Sequence, residues 1–198
     1  PAVERATLSN GVQVVYAQSL TVPVTRVSLD FNAGVTADRA DRLGAHTLML
    51  NVMEEGTTTR DSNALAEAKE RLGASINVGS SMDRTSVSLS AVTTNLDPSL
   101  ALLSDVVRNP AFAPAEVERL RAQRLTALAN ERTQPGGLAG RALPGLLHGE
   151  ANPYGRPFNG SGDETVIRAL TRNDLASEHA TWIRADNMQL FVVSDLRL

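Results

Sequence analysis

Apolar Val27, Leu29, Phe31 and Ala33 alternate with polar Ser28, Asp30 and Asn32. Strand side chains point to opposite faces in turn, so this period-two pattern predicts a half-buried strand. Upstream, Asn10-Gly11 stands between two apolar runs. Both residues tolerate positive φ, and the pair predicts a tight hairpin. Two more strands are expected over 74–79 and 84–92. The second alternates Val87, Leu89 and Ala91 with Ser86, Ser88 and Ser90, so its polar face is all hydroxyls. Such a face is wet or lines a cavity. Leu190-Phe191-Val192-Val193 predicts a last, buried strand.

Helical spacing dominates elsewhere. From Leu43 to Thr57, Leu48, Met49, Val52 and Met53 fall on one helical face and Gly56 closes the run. Asp61 reads as the N-cap of a helix to Leu72, with Gly73 as its stop. Asp97-Pro98 opens a helix to about Arg108, with Leu100, Leu103 and Val107 inward. Pro114 opens a longer one with Val117, Leu120, Leu125 and Leu128 inward, stopping near Pro135-Gly136-Gly137. A short helix is expected from Leu138 to Leu147, and turns over 152–157 and 159–162. Thr171 caps a helix to about Trp182, with Asp174 in a capping-box relation. Strands and helices do not alternate regularly. The pattern is that of an α+β domain, a mostly antiparallel sheet with helices packed over it.

Bulk properties narrow the function classes. The 198 residues are 42% hydrophobic, enough for one domain with a real core. The net charge of −3 and the lack of a basic stripe exclude a nucleic-acid footprint. No apolar run approaches the roughly 20 residues of a membrane span. Without cysteine there is no disulfide, no thiol chemistry and no Cys-based zinc site. That composition suits the bacterial periplasm or cytoplasm, with the periplasm preferred. The start at Pro1 and the end after an apolar run fit a single domain, 1–198, belonging to a longer protein.

Several short marks then occur in a telling order: Leu8-Ser9-Asn10-Gly11-Val12, Asn32-Ala33-Gly34, Gly44, Gly56-Thr57 with Arg60, Leu72-Gly73-Ala74, Asn109-Pro110-Ala111-Phe112, Pro153-Tyr154-Gly155-Arg156-Pro157, and Asn187 to Val193. Together they span nearly the whole chain. In this order and spacing the chain resembles the insulinase/pitrilysin/mitochondrial-processing-peptidase family of zinc peptidases. The resemblance implies a quarter of a clam-like enzyme, in which two halves of two domains each enclose a peptide chamber and one half carries zinc. The active half bears His-x-x-Glu-His on the helix before Gly-Thr. Two His at i and i+4 share a zinc ion, and the Glu acts as base on its water. A later helix adds a further Glu.

Aligned on Gly56-Thr57, the two His positions fall on Thr47 and Asn51 and the base on Leu50. The later ligand falls on Ala127 or its neighbour Leu128. None of these residues can do the family's chemistry. The resemblance therefore implies a non-catalytic domain of the zinc-free half, without metal or cofactor of its own. Zinc and activity would belong to a partner half, in the same chain or another subunit. Its partners would be other domains of this family and a peptide in the shared chamber, with Ser86, Ser88 and Ser90 as candidate substrate-facing residues. Two alternatives stand beside this: a structural scaffold like the zinc-less core subunits of a respiratory complex, and an active enzyme with unconventional ligands such as His46 and Glu131.

The remaining candidates read more simply as structure. His46 is expected to be an ordinary polar or capping residue, and Glu54-Glu55 a solvated helix end. Glu131 is expected at the surface and Arg156 as a loop charge. Trp182 reads as a core or interface anchor. His148 with Glu150, and Glu178 with His179, have no third donor at a readable spacing. Asn159-Gly160-Ser161 matches a glycosylation acceptor, a frequent chance match.

Overall fold

A computed structural model describes residues 2–197. Six strands form one sheet: β1 (Val3–Thr7), β2 (Gln13–Gln18), β3 (Val24–Phe31), β4 (Ser75–Ser80), β5 (Thr85–Val92) and β6 (Met188–Ser194). Their spatial order is β1-β2-β6-β3-β5-β4. Only the β2–β6 pair is parallel. β6, the last element, inserts between β2 and β3, so the two halves of the sheet join only through the end of the chain. Val27 shows the consequence, standing across from Leu89 on one side and Val192 on the other.

Seven α-helices accompany the sheet: α1 (Ala45–Met53), α2 (Ser62–Leu72), α3 (Leu96–Arg108), α4 (Pro114–Thr133), α5 (Pro135–His148), α6 (Glu164–Ala169) and α7 (Arg172–Trp182). The core lies between the sheet face carrying Val27, Phe31, Val87, Leu89 and Ala91 and the inner faces of the helices. α1 sits at its centre. Ala45, His46, Leu48, Met49, Leu50, Val52 and Met53 are all buried, as expected of a helix apolar nearly all round. The predicted caps form as read: Asp61 accepts the N–H of Ala64, Gly73 ends α2 at φ +60°, and Thr171 with Asp174 makes a reciprocal capping box.

Three details differ from the sequence reading. Leu100 is 37% exposed, while Leu102, Leu103, Val106 and Val107 are buried. Leu100 lines an apolar groove of about 710 Å³ between α3 and β3/β6. The same groove leaves Met188, Leu190 and Val192 of β6 half-buried rather than buried, while Val193 is exposed on the opposite face of the sheet. α5 begins at Pro135, not Leu138, because proline at the first helical position forfeits no hydrogen bond. It leaves Leu138, Leu143, Leu146 and Leu147 exposed.

Candidate functional site

The helix at the family's metal position is anchored at both ends by polar groups. Its N-cap, Gly44, has no side chain to cap with. Asp38 takes over from six residues upstream: its carboxylate accepts the N–H of Gly44 at 2.6 Å and of His46 at 2.9 Å. Asp38 is only 4% exposed. Burial raises its pKa to about 6, against the pull of those two N–H groups and of His46, while Glu178 adds to the rise. His46, expected to be an ordinary polar or capping residue, is a fully buried core residue. Its Nε2 is 2.7 Å from Thr85 Oγ1 and its Nδ1 is 3.3 Å from Glu178, so it ties α1 to β5 and α7. At the other end, Thr57, Thr59 and Arg60 all donate to Asp105 of α3 at 2.8–2.9 Å. The Gly56-Thr57 and Arg60 marks thus form a structural clamp.

α1 and α4, the two helices on which the resemblance sets the family's ligand positions, pack against each other. α1 and α4 run antiparallel. Glu55 pairs with Arg119 at 2.7 Å at one end. At the other, Asn159 donates to Glu131 at 2.6 Å, and the next residue, Gly160, lies against Thr47. Leu50 is buried, whereas Asn51 and Ala127 are exposed and Leu128 is buried. Thr47 Oγ1 is fully buried with no hydrogen-bond partner. The loop over it is fixed by Arg141, which donates to Ser161 Oγ at 2.8 Å and Gly162 O at 2.9 Å and pairs with Glu131 at 3.1 Å. Arg156 donates to the carbonyls of Thr36 and Asp38 beneath the same loop. Thr47, Leu50, Asn51 and Ala127 do not fit zinc, which takes three or four imidazole, thiolate or carboxylate ligands. Among the described residues no group of three His, Asp or Glu side chains is placed to hold a metal.

Other expectations change for local reasons. Glu54 and Glu55 are half-buried rather than solvated. Glu54 has its pKa raised by burial, and Glu55 pairs with Arg119 and accepts from Ser62. Glu131 is not a free surface group but joins α4 to Arg141 and Asn159. Arg156 is a partly buried strut. Glu178 and His179 point apart, to His46 and to the Val107 carbonyl at 2.8 Å. His148 lies beside the Tyr154 ring. Trp182 is partly buried at the end of α7. Ser86, Ser88 and Ser90 lie on the sheet face turned away from α1, in register with Asp30, Ser28 and Arg26. No motif singled out Asp38, Arg124 or Arg141, and Gly160 reads only as part of a turn and of a chance glycosylation match. They sit in polar or mixed stretches, and their roles depend on which elements meet.

Comparisons with known proteins bear on the family and the fold. A sequence model of the family described as Insulinase (Peptidase family M16) matches residues 13–140. Over 95% of its length the chain is 29% identical to a protein named probable mitochondrial-processing peptidase subunit beta from Schizosaccharomyces pombe, covering 40% of it. Over 99% it is 25% identical to cytochrome b-c1 complex subunit 1 of Bos taurus, again covering 40%. The chain thus spans about two-fifths of these relatives. A crystal structure described as a peptidase M16 inactive domain from Pseudomonas fluorescens superposes with a TM-score of 0.93 at 28% identity, covering all of this chain and 47% of that one.

Proposed function

Because the chain belongs to the insulinase family, peptidase family M16, we propose that it is a non-catalytic domain that walls a peptide chamber and docks onto a zinc-bearing half. One observation carries this reading. The family's helix pair is kept intact while Thr47, Leu50, Asn51 and Ala127 supply no ligand and no base, and an anchored loop covers Thr47. A fold retained without its chemistry serves shape and contact. The inactive domain from Pseudomonas fluorescens is a precedent.

Three surfaces support this reading. β4 is an edge strand beside α1 and can take an extended peptide by strand addition. Ser86, Ser88 and Ser90 offer hydroxyls on the open sheet face as a second substrate-facing surface. The exposed leucines of α5 suit a contact with another domain of the family, in the same chain or a second subunit. Zinc and the activated water then belong to that partner.

Elemental analysis and peptidase assays on the purified chain test this reading, together with hydrogen exchange across β4 and Ser86–Ser90 when peptide and zinc-bearing half are added. The expected result is no stoichiometric zinc, no cleavage by the chain alone, and protection at β4, the serines and α5 in the complex. One zinc per chain with chelator-sensitive cleavage overturns it. The match to cytochrome b-c1 complex subunit 1 supports a second reading, a structural subunit of a larger assembly. Co-purification with membrane redox proteins, and not with a zinc-bearing half, selects that one.

A further inference from the structure

Arg124 carries a charge that this chain leaves without a partner. It is partly buried in the middle of α4. The other partly buried arginines each hold an oxygen: Arg42 pairs with Asp174, Arg60 with Asp105 and Arg141 with Glu131. Arg121 holds the carbonyl of Leu170, and Arg156 that of Asp38. The arginines that lack a partner, such as Arg26, Arg71, Arg84 and Arg108, are exposed, where water solvates them. Among the described residues Arg124 alone combines partial burial with no ion pair and no hydrogen bond.

That combination is unfavourable in the isolated chain. A guanidinium that has lost part of its hydration and gained no protein acceptor is less stable than one fully paired or fully solvated. Burial lowers its pKa, opposed only by the charge of Glu131, which is already engaged by Arg141 and Asn159. Thr47 Oγ1 is the only fully buried polar side-chain atom without a partner among the described residues, so the Arg124 nitrogens still reach solvent.

Its position indicates what it would meet. The antiparallel register, fixed by Glu55–Arg119 at one end and the Glu131–Asn159 contact near Thr47 at the other, sets Asn51, halfway between residues 47 and 55, across from the turn of α4 that holds Arg124. Ala127 follows within one turn, and Asn51 and Ala127 are both exposed. The strip is open, and its unsatisfied group is a single planar cation. A guanidinium fork matches the two oxygens of a carboxylate. One cation near Glu131, on a chain of net charge −3, suits a monoanion better than a doubly charged phosphate. We infer that Arg124 is a receptor for a carboxylate borne by an extended peptide lying along the α1–α4 seam. The peptide part of this inference rests on the chamber-wall reading above; the carboxylate part does not.

Two measurements on the chain separate these parts. In the first, sodium acetate is titrated against sodium chloride at equal ionic strength while the Arg124 Nε–H resonance is followed. A saturable shift with acetate alone is expected, and equal shifts in both salts overturn the inference. In the second, affinities are compared for a blocked peptide with a central Glu, its Gln counterpart, and the Gln peptide with a free C-terminal carboxylate. The Glu or the free-terminus peptide should bind more tightly than the blocked Gln peptide by on the order of tenfold, and which of them does so identifies the source of the carboxylate. Arg124→Gln should abolish the preference and Arg124→Lys keep part of it. Ala127→Glu, which leaves Arg124 in place and supplies a carboxylate within one helical turn, should abolish it as well. A preference that persists in these variants belongs to another cation and overturns the assignment. Equal binding of all three peptides also overturns it and leaves the chamber reading standing. No peptide binding alongside an intact acetate response supports the carboxylate receptor and counts against the chamber reading.

Discussion

Gly160 lies directly against Thr47, so that a methyl group on Gly160 would collide with the Thr47 hydroxyl and come within 2.9 Å of Val35 Cγ2. This contact closes the loop over the family's first ligand position. Gly160 also has φ +63°, a conformation that costs other residues about 1 kcal/mol.

Gly160→Ala should therefore destabilise the chain by about 2–3 kcal/mol, the sum of strain and overpacking. Thr47→Ala removes one of the two clashing groups, so part of the loss should return in the double variant. A double-mutant cycle from urea midpoints should give a coupling of at least about 0.5 kcal/mol. A coupling of zero would mean that the loop does not rest on Thr47.

Rebuilding the catalytic motif should fail for the same reason that the fold is stable. Leu50 is 3% exposed in the centre of the core. Leu50→Glu buries a carboxylate with no cationic partner provided, at a cost of about 3–5 kcal/mol. The combined Thr47→His, Leu50→Glu, Asn51→His, Ala127→Glu chain should show a lowered unfolding midpoint and no peptidase activity. Cleavage with an unchanged midpoint would show that the loop over Thr47 gives way easily.

Asp38 should make stability depend on pH. Its folded pKa of about 6 lies above the ordinary carboxylate range, so the folded state holds this proton more tightly than the unfolded state. The stabilisation is fully present below about pH 4 and is lost as pH rises through about 6, a change on the order of 2–3 kcal/mol. Asp38→Asn should flatten that slope. It should also lower stability near pH 7 by about 1–3 kcal/mol, because Asp38 accepts from Gly44 and His46 through different oxygens and the amide nitrogen that replaces one of them cannot accept. Urea unfolding of both proteins from about pH 4 to pH 7 checks the sign and the slope.

What the sequence determined by itself was local. Alternation fixed β3 and β5, Asn10-Gly11 the hairpin, Asp61, Gly73 and Thr171 the helix ends, and the order of short marks the family. The expectation that Thr47, Leu50, Asn51 and Ala127 supply no ligand and no base also came from sequence, because donor capacity belongs to the side chain and needs no coordinates. Tertiary structure decided the rest, since it depends on elements distant in sequence. β6 enters the middle of the sheet, Asp38 caps a helix it does not adjoin, and His46 is buried because β5 and α7 close on it. Glu131 and Arg141 meet across a helix junction, and Arg124 is left alone only because α1 and α4 pack as they do. Periodicity reports which face of an element is apolar. It does not report which element covers that face, and burial, pairing and pKa follow from the covering.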